Sequence, residues 1–219
     1  MFQTTLLLLF NATLETLYMV VLASIIAALV GVPLGVILYV TRKGNILPHP
    51  RMHQVLAAIV NVTRSIPFII LMVSIIPFTR LLVGTSIGTN AAIVPLSISA
   101  MPFIARIVEN AILEVQKGLI EAATSMGATS MQIITKVLIP ESLPGIINGL
   151  TLTVIALIGY SAMAGAIGGG GLGDLAIRYG YQRFDYKIML MTIAIMIILV
   201  QFVQMLGDHL AKWYARGRS

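Results

Sequence analysis

The 219-residue sequence has no cysteine, which excludes disulfide staples, thiolate metal sites and cysteine nucleophiles. Charge is nearly as scarce. Only 10% of residues are Asp, Glu, Lys or Arg, where a soluble domain carries about a quarter, so the chain lacks the polar surface needed to meet water on all sides. No Gly-xxxx-Gly-Lys-Ser/Thr loop occurs, and any nucleotide hydrolysis has to come from another chain. The first Lys or Arg is Arg42, which leaves no basic region for a cleavable leader. Internal repeats and mid-membrane ionisable residues are not evident, and both absences count against an ion-coupled secondary transporter.

Apolar sequence takes the place of charge: 58% of residues are hydrophobic and the mean hydropathy is +0.97. Five apolar runs approach the roughly 20 residues needed to cross the hydrocarbon: 14–40, 55–78, 91–107, 145–166 and 188–210. With no water to satisfy their backbone groups, each is expected to be a helix. The first is long enough to tilt or project. The expectation is an all-α integral membrane protein, one domain over residues 1–219, with five transmembrane helices. Its excess of basic residues gives a net charge of +6, but these lie in the gaps between runs. That placement suits anionic headgroups and does not form a nucleic-acid face.

Lys and Arg also set the orientation. One side collects Arg42, Lys43, Arg51, Arg64, Arg106, Lys117, Lys136, Lys212, Arg216 and Arg218, and the other only Arg80, Arg178, Arg183 and Lys187. The N-terminus is therefore expected outside, the C-terminus in the cytoplasm, and the 108–140 segment also in the cytoplasm. Gly31-xxx-Gly35 and Gly145-xxx-Gly149 read as close-packing positions. Pro33, Pro67, Pro95 and Pro102 read as kinks. Gly168-x-Gly170-x-x-Gly173 formally matches a dinucleotide fingerprint but follows a membrane span, so it is expected to end that span and give the outer loop freedom. Glu15 and Arg64 are expected to reach the interfaces from span ends, Asp208 and Lys212 to form a surface i,i+4 pair, and His49 and His53 not to bind metal.

The 108–140 segment reads as short helices. Glu109, Glu114 and Lys117 line a polar aspect. Gly127 is placed to end one helix in a left-handed cap, and Thr129 with Gln132 makes a capping box for the next. Met131, Ile134 and Leu138 recur at helical spacing, and Pro140 and Pro144 punctuate the entry to span four. Glu121-Ala122-Ala123, Gly127 and Val137-Leu138-Ile139-Pro140 stand in fixed register, and here the chain resembles the permease subunits of ATP-binding-cassette importers. Val137 and Ile139 replace the Ile and Leu of that pattern. The resemblance implies a type I importer permease fold, and that Glu121, Ala122, Ala123, Ser125, Met126, Gly127 and Ala128 couple to an ATPase.

Across nearly the whole chain the similarity is to methionine-importer permeases. It is carried by Asn61 to Phe68, Gly84-Thr85-Ser86-Ile87-Gly88, Pro102-Phe103-Ile104-Ala105-Arg106, Gly159-Tyr160-Ser161-Ala162-Met163 and Gly170-Gly171-Leu172-Gly173. It implies a bacterial inner-membrane permease homodimer without enzymatic activity or cofactor, coupling L- and D-methionine import to ATP hydrolysis. Two cytoplasmic ATP-binding subunits and an extracytoplasmic methionine-binding protein, often lipid-anchored, complete the assembly that it implies. Another amino acid or small solute is the alternative cargo. From the residues themselves, Tyr160, Ser161 and Met163 interrupt an otherwise aliphatic fourth span and are the pathway candidates, with Met163 suited to a reclosing seal.

Overall fold

The computed structural model describes residues 2–216. Arg218, counted above for orientation, lies outside them. All regular secondary structure among the described residues is helical.

α1 (Phe2–Thr41) is one 40-residue helix carrying Pro33 internally. At 1.5 Å per residue it is about 60 Å long, roughly twice the hydrocarbon thickness. It begins well before residue 14, where the hydropathy run was expected to start.

The second expected span, 55–78, is not one helix. α2 (Pro50–Ser65) and α3 (Phe68–Ser74) meet at a bend of 101°. Ile66 is extended, at φ −82° and ψ 122°. This follows from Pro67, which supplies no N–H and pushes the residue before it out of the helical region. A second break at Ile75 starts α4 (Ile76–Val83).

α5 (Thr89–Leu113) runs longer than the expected 91–107 and stays one helix despite Pro95 and Pro102. It is the centre of the bundle. α1 closes on it through Gly35, where an added Cβ would lie 2.5 Å from the Ala105 carbonyl, and Gly31, where it would lie 2.8 Å from the Ile104 Cβ. The last long helix of the core also packs on α5 through Gly149, where a Cβ would come within 2.0 Å of the Ile107 Cγ2. Both small-xxx-small pairs therefore let a helix approach the same partner. Between them, Leu96, Ile104, Val108 and Ile112 are fully enclosed, and each buried aliphatic side chain gains many small dispersion contacts. Glu109, expected on a polar aspect, is enclosed as well, with 2% of its surface exposed.

α6 (Lys117–Ser125) and α7 (Ser130–Ile133) follow. The expected break at Pro140 is absent. α7 continues through one wide π turn (Ile134–Leu138) into α8 (Ile139–Ala166), a rod running from Ser130 to Ala166. Pro140 falls in the first turn of α8, directly after the wide turn, where the missing donor does least damage. α9 (Gly171–Leu175), a second π turn (Ala176–Tyr181) and α10 (Tyr186–Arg216) complete the chain. α10 lies on α8, with Gly207 facing Thr151. Asp208 accepts a hydrogen bond from the Gln204 side chain at 2.7 Å and makes no ion pair with Lys212.

The glycine-rich segment after α8 is packed rather than free. A Cβ on Gly165 would meet the Asp174 backbone nitrogen at 2.3 Å, and one on Gly173 the Ala162 Cα at 2.4 Å. Glu15 does not reach an interface. Its Oε2 accepts the Gly171 N–H at 2.7 Å, and the Thr16 Oγ1 accepts the Leu172 N–H at 2.8 Å.

Candidate functional site

Two features stand out from the bundle: a capped helical arm at one end, and a cavity beside the middle of α5.

The arm is α6 with its turn. The Ala128 N–H donates to the Ala123 carbonyl and the Gly127 N–H to the Thr124 carbonyl, both at 3.0 Å. Gly127 sits at φ +79°. This is the Schellman arrangement, in which a left-handed residue turns the chain back to satisfy the last carbonyls. Glycine suits it because other residues pay a steric cost there. Two residues later the Thr129 Oγ1 accepts the Gln132 N–H, and the Gln132 side chain returns to accept the Thr129 N–H. Both helix ends at the elbow are thus closed, which makes the arm stiff.

Its faces differ. Ala123 is 5% exposed and belongs to the bundle core. It was expected at the docking contact and instead holds the arm to the bundle, with a side chain small enough for close approach. Glu121, Ala122, Ser125 and Gly127 are exposed, Ala128 is half-buried, and Met126 is 82% exposed. A large apolar side chain left this open at a helix tip marks a contact surface. The inner side of the arm borders a cavity of about 810 Å³ reaching Tyr39, Arg42 and Lys43 at the end of α1.

The second cavity has a volume of about 420 Å³ and lies between α2, α5 and α8. Tyr160 lines it, its ring stacked on Phe68 with centroids 4.7 Å apart and planes within 6°. Thr153 and Ala156 line the same side of α8, and Met163 falls one turn farther on that stripe by helical spacing. Met163 is half exposed and is not on the cavity wall. Ser161 faces the other way. It is buried, and its hydroxyl donates to the Ile158 carbonyl at 2.7 Å, so its placement on the pathway is corrected.

Arg64 also lines this cavity, with its guanidinium 5.5 Å from the centre of the Phe103 ring. Hydropathy had placed it at a span end. In the structure it lies about 20 Å along α2 from Pro50, by the helical rise, just before the break at Pro67. It faces the middle of α5 and α8. Arg106, also counted among polar-loop residues, lies inside α5. It donates to the Asn61 Oδ1 at 2.9 Å and pairs with Glu109 at 2.5 Å. Sequence reading missed this Asn61–Arg106–Glu109 chain. The i,i+3 spacing of Arg106 and Glu109 was a usable signal, but Asn61 comes from a different helix.

Residues 31–216 match the family described as "Binding-protein-dependent transport system inner membrane component". The chain is 56% identical over 205 residues to the probable D-methionine transport system permease protein MetI of Vibrio cholerae, covering 94% of this chain and 91% of that protein. It is 58% identical over 151 residues to the D-methionine transport system permease protein MetI of Escherichia coli K12, covering 69% of this chain and 70% of the other. A solved chain of the MetNI methionine ABC transporter, in an inward-facing conformation, superposes with a TM-score of 0.96 at 50% identity, covering 98% and 99% of the two chains. A chain of an amino acid ABC transporter solved with histidines shares the fold at 22% identity and a TM-score of 0.77. Bundle, arm and sequence therefore agree that this chain belongs to the family of inner-membrane components of binding-protein-dependent transport systems.

Proposed function

We propose that the chain is the membrane-spanning permease subunit of an ATP-binding-cassette importer whose cargo is methionine. The observation that carries the coupling half is the arm: a closed-ended, exposed helix ending in Met126, held to a membrane bundle by Ala123. A stiff lever of this kind transmits a push from a partner, where a loose loop would absorb it. The relatives' function in methionine transport supports the cargo half.

In this reading two copies of the chain form the pathway, and each arm seats on one of two cytoplasmic ATP-binding subunits. Glu121, Ala122, Ser125 and Met126 make the contact, Gly127 and Ala128 set the turn, and Ala123 anchors it from behind. An extracytoplasmic methionine-binding protein delivers the cargo. The N-terminus lies outside and the C-terminus inside. Arg42, Lys43, Arg51, Lys117, Lys136 and Lys212 support this, since they cluster on the arm's side once Arg64 and Arg106 are removed from the loop count. Tyr160 and Met163 lie on the pathway face of α8, with Met163 at the seal.

The deciding experiment reconstitutes the chain with its ATP-binding subunit and binding protein in vesicles. ATP-dependent uptake of labelled methionine is expected, with unlabelled L- and D-methionine competing. Failure of excess methionine to compete would overturn the cargo. A Met163→Ala variant is expected to change uptake or to raise ATP hydrolysis without cargo, and wild-type behaviour in both would remove Met163 from the seal.

A further inference from the structure

We infer that Arg64 is the residue that receives the carboxylate of the transported amino acid inside the membrane, in the cavity between α2, α5 and α8. The inference rests on the amino-acid cargo proposed above and assigns a site to it.

The first ground is position. Arg64 faces the middle of the long apolar helices α5 and α8, on a helix that breaks immediately afterward at Pro67, and it lines the 420 Å³ cavity. An arginine at that depth faces a polar cavity or a partner, because lipid cannot solvate it. Irregular backbone is tolerated at such depth for the same reason, where it borders a cavity, and broken helices near the midplane are common ligand sites.

The second ground is charge. Arg64 makes no ion pair among the described residues, and its contact is the face of Phe103. The nearby carboxylate, Glu109, is already paired with Arg106, which is tied in turn to Asn61. The cavity wall therefore carries one uncompensated positive charge with its fork of donors available. A guanidinium pairs a carboxylate through two parallel hydrogen bonds.

The third ground is the remaining lining. The hydroxyls of Thr63, Ser65, Ser99 and Thr153 all border the cavity, and each donates to a carbonyl of its own helix. Their hydrogens are thus engaged while their oxygens can still accept. Such acceptors suit an ammonium group. Phe68, Phe103 and Leu157 supply apolar wall for a side chain. One fixed cation, several acceptors and an apolar wall match a zwitterionic amino acid with an apolar side chain, and the volume lies in the range of ligand sites.

The test uses the complete transporter in vesicles, with Arg64→Gln and Arg64→Lys beside wild type. Removing a charge-assisted pair predicts an uptake loss of about tenfold or more for Arg64→Gln. Subunit co-purification should be unchanged, and Arg64→Lys should recover most of the uptake. A second measurement omits the binding protein. Labelled methionine bound to the detergent-purified permease–ATPase complex is challenged with unlabelled methionine or with methioninol, which lacks the carboxylate. Wild type should release the label to methionine and not to methioninol, whereas Arg64→Gln should lose that discrimination. A merely structural role would leave the discrimination intact. Wild-type uptake by Arg64→Gln, or equal competition by methioninol on wild type, overturns the inference. Should Arg64→Gln fail to assemble, the methioninol comparison on wild type decides alone. Wild-type vesicles that take up no methionine overturn the proposed cargo instead, so the two failures are separable.

Discussion

Glu15 and Gly171 are 156 positions apart and directly bonded, the Glu15 carboxylate accepting the Gly171 N–H at 2.7 Å. Thr16 repeats the contact one residue along, accepting the Leu172 N–H at 2.8 Å. Together they close the start of α9 and fasten the glycine-rich segment to α1. An acidic group at the start of a helix also meets its positive end.

Replacing Glu15 with Ala leaves a partly buried N–H without its acceptor. The expected loss is about 1–3 kcal/mol of stability, read as a lower melting temperature of the detergent-purified protein. Glu15→Gln keeps an oxygen acceptor and should lose less. Gly171→Ala should lose more, because a Cβ there would stand 2.6 Å from the Thr16 Oγ1 on a backbone at φ +77°. Equal melting temperatures for all three would show that the contact does not hold the segment.

The two alanines of the arm should behave differently. Ala122 is exposed and Ala123 is enclosed. Ala122→Arg is expected to release the ATP-binding subunit on co-purification while the permease keeps its melting temperature. Ala123→Arg should lower both, since the arm can no longer lie on the bundle. Full retention of the ATPase by Ala122→Arg would count against the docking surface.

Gly127→Ala places a Cβ on a left-handed residue, at a cost of about 1–2 kcal/mol. The arm should then fray, seen as faster proteolysis within residues 117–133 and as ATP hydrolysis that drives less uptake. Gly127→Asn should be milder, because asparagine tolerates this conformation. Similar cleavage rates for all three proteins would mean that the turn is not what stiffens the arm.

Arg106→Ala strands a carboxylate that is 2% exposed. Breaking a buried pair on one side costs about 3–5 kcal/mol. Adding Glu109→Gln to Arg106→Ala should recover part of that loss, because no charge is then left unpaired. A double variant as unstable as the sum of its single changes would deny the coupling.

Tyr160→Phe keeps the ring stacked on Phe68 and should keep uptake near wild type. Tyr160→Ala removes a stacked pair worth about 0.5–1.5 kcal/mol beyond its burial and opens the wall between α3 and α8. Reduced uptake, or ATP hydrolysis poorly matched to uptake, is the expected result. If Tyr160→Ala transports like wild type, the stacked pair has no part in the pathway.

Local signals in the sequence were legible wherever the physics is local. The Gly127 turn and the Thr129–Gln132 capping box each involve residues a few positions apart, and the structure contains both. The glycine pairs of α1 and α8 were readable as packing positions, although their shared partner α5 was not. The break at Pro67 was expected as a kink, but its size of 101° depends on what α3 packs against. Pro95, Pro102 and Pro140 looked equally disruptive and left their helices continuous, at Pro140 because it follows a wide π turn that accommodates the missing donor.

By itself the sequence determined that this chain lives in a bilayer as helices, since so little charge and so many apolar runs leave no other way to satisfy the backbone. It also determined the arm, whose caps are local. Only the tertiary structure decided the depth and surroundings of the charged residues. Arg64 looked like an interfacial residue because hydropathy averages along the chain, whereas its position in the bilayer depends on where α2 starts and breaks. The partner of Glu15, and the Asn61 that holds the Arg106–Glu109 pair, were likewise beyond sequence reach. Glu15 meets Gly171 only when α1 packs against α9, and the Arg106 that pairs Glu109 is aligned by Asn61 only when α2 crosses α5.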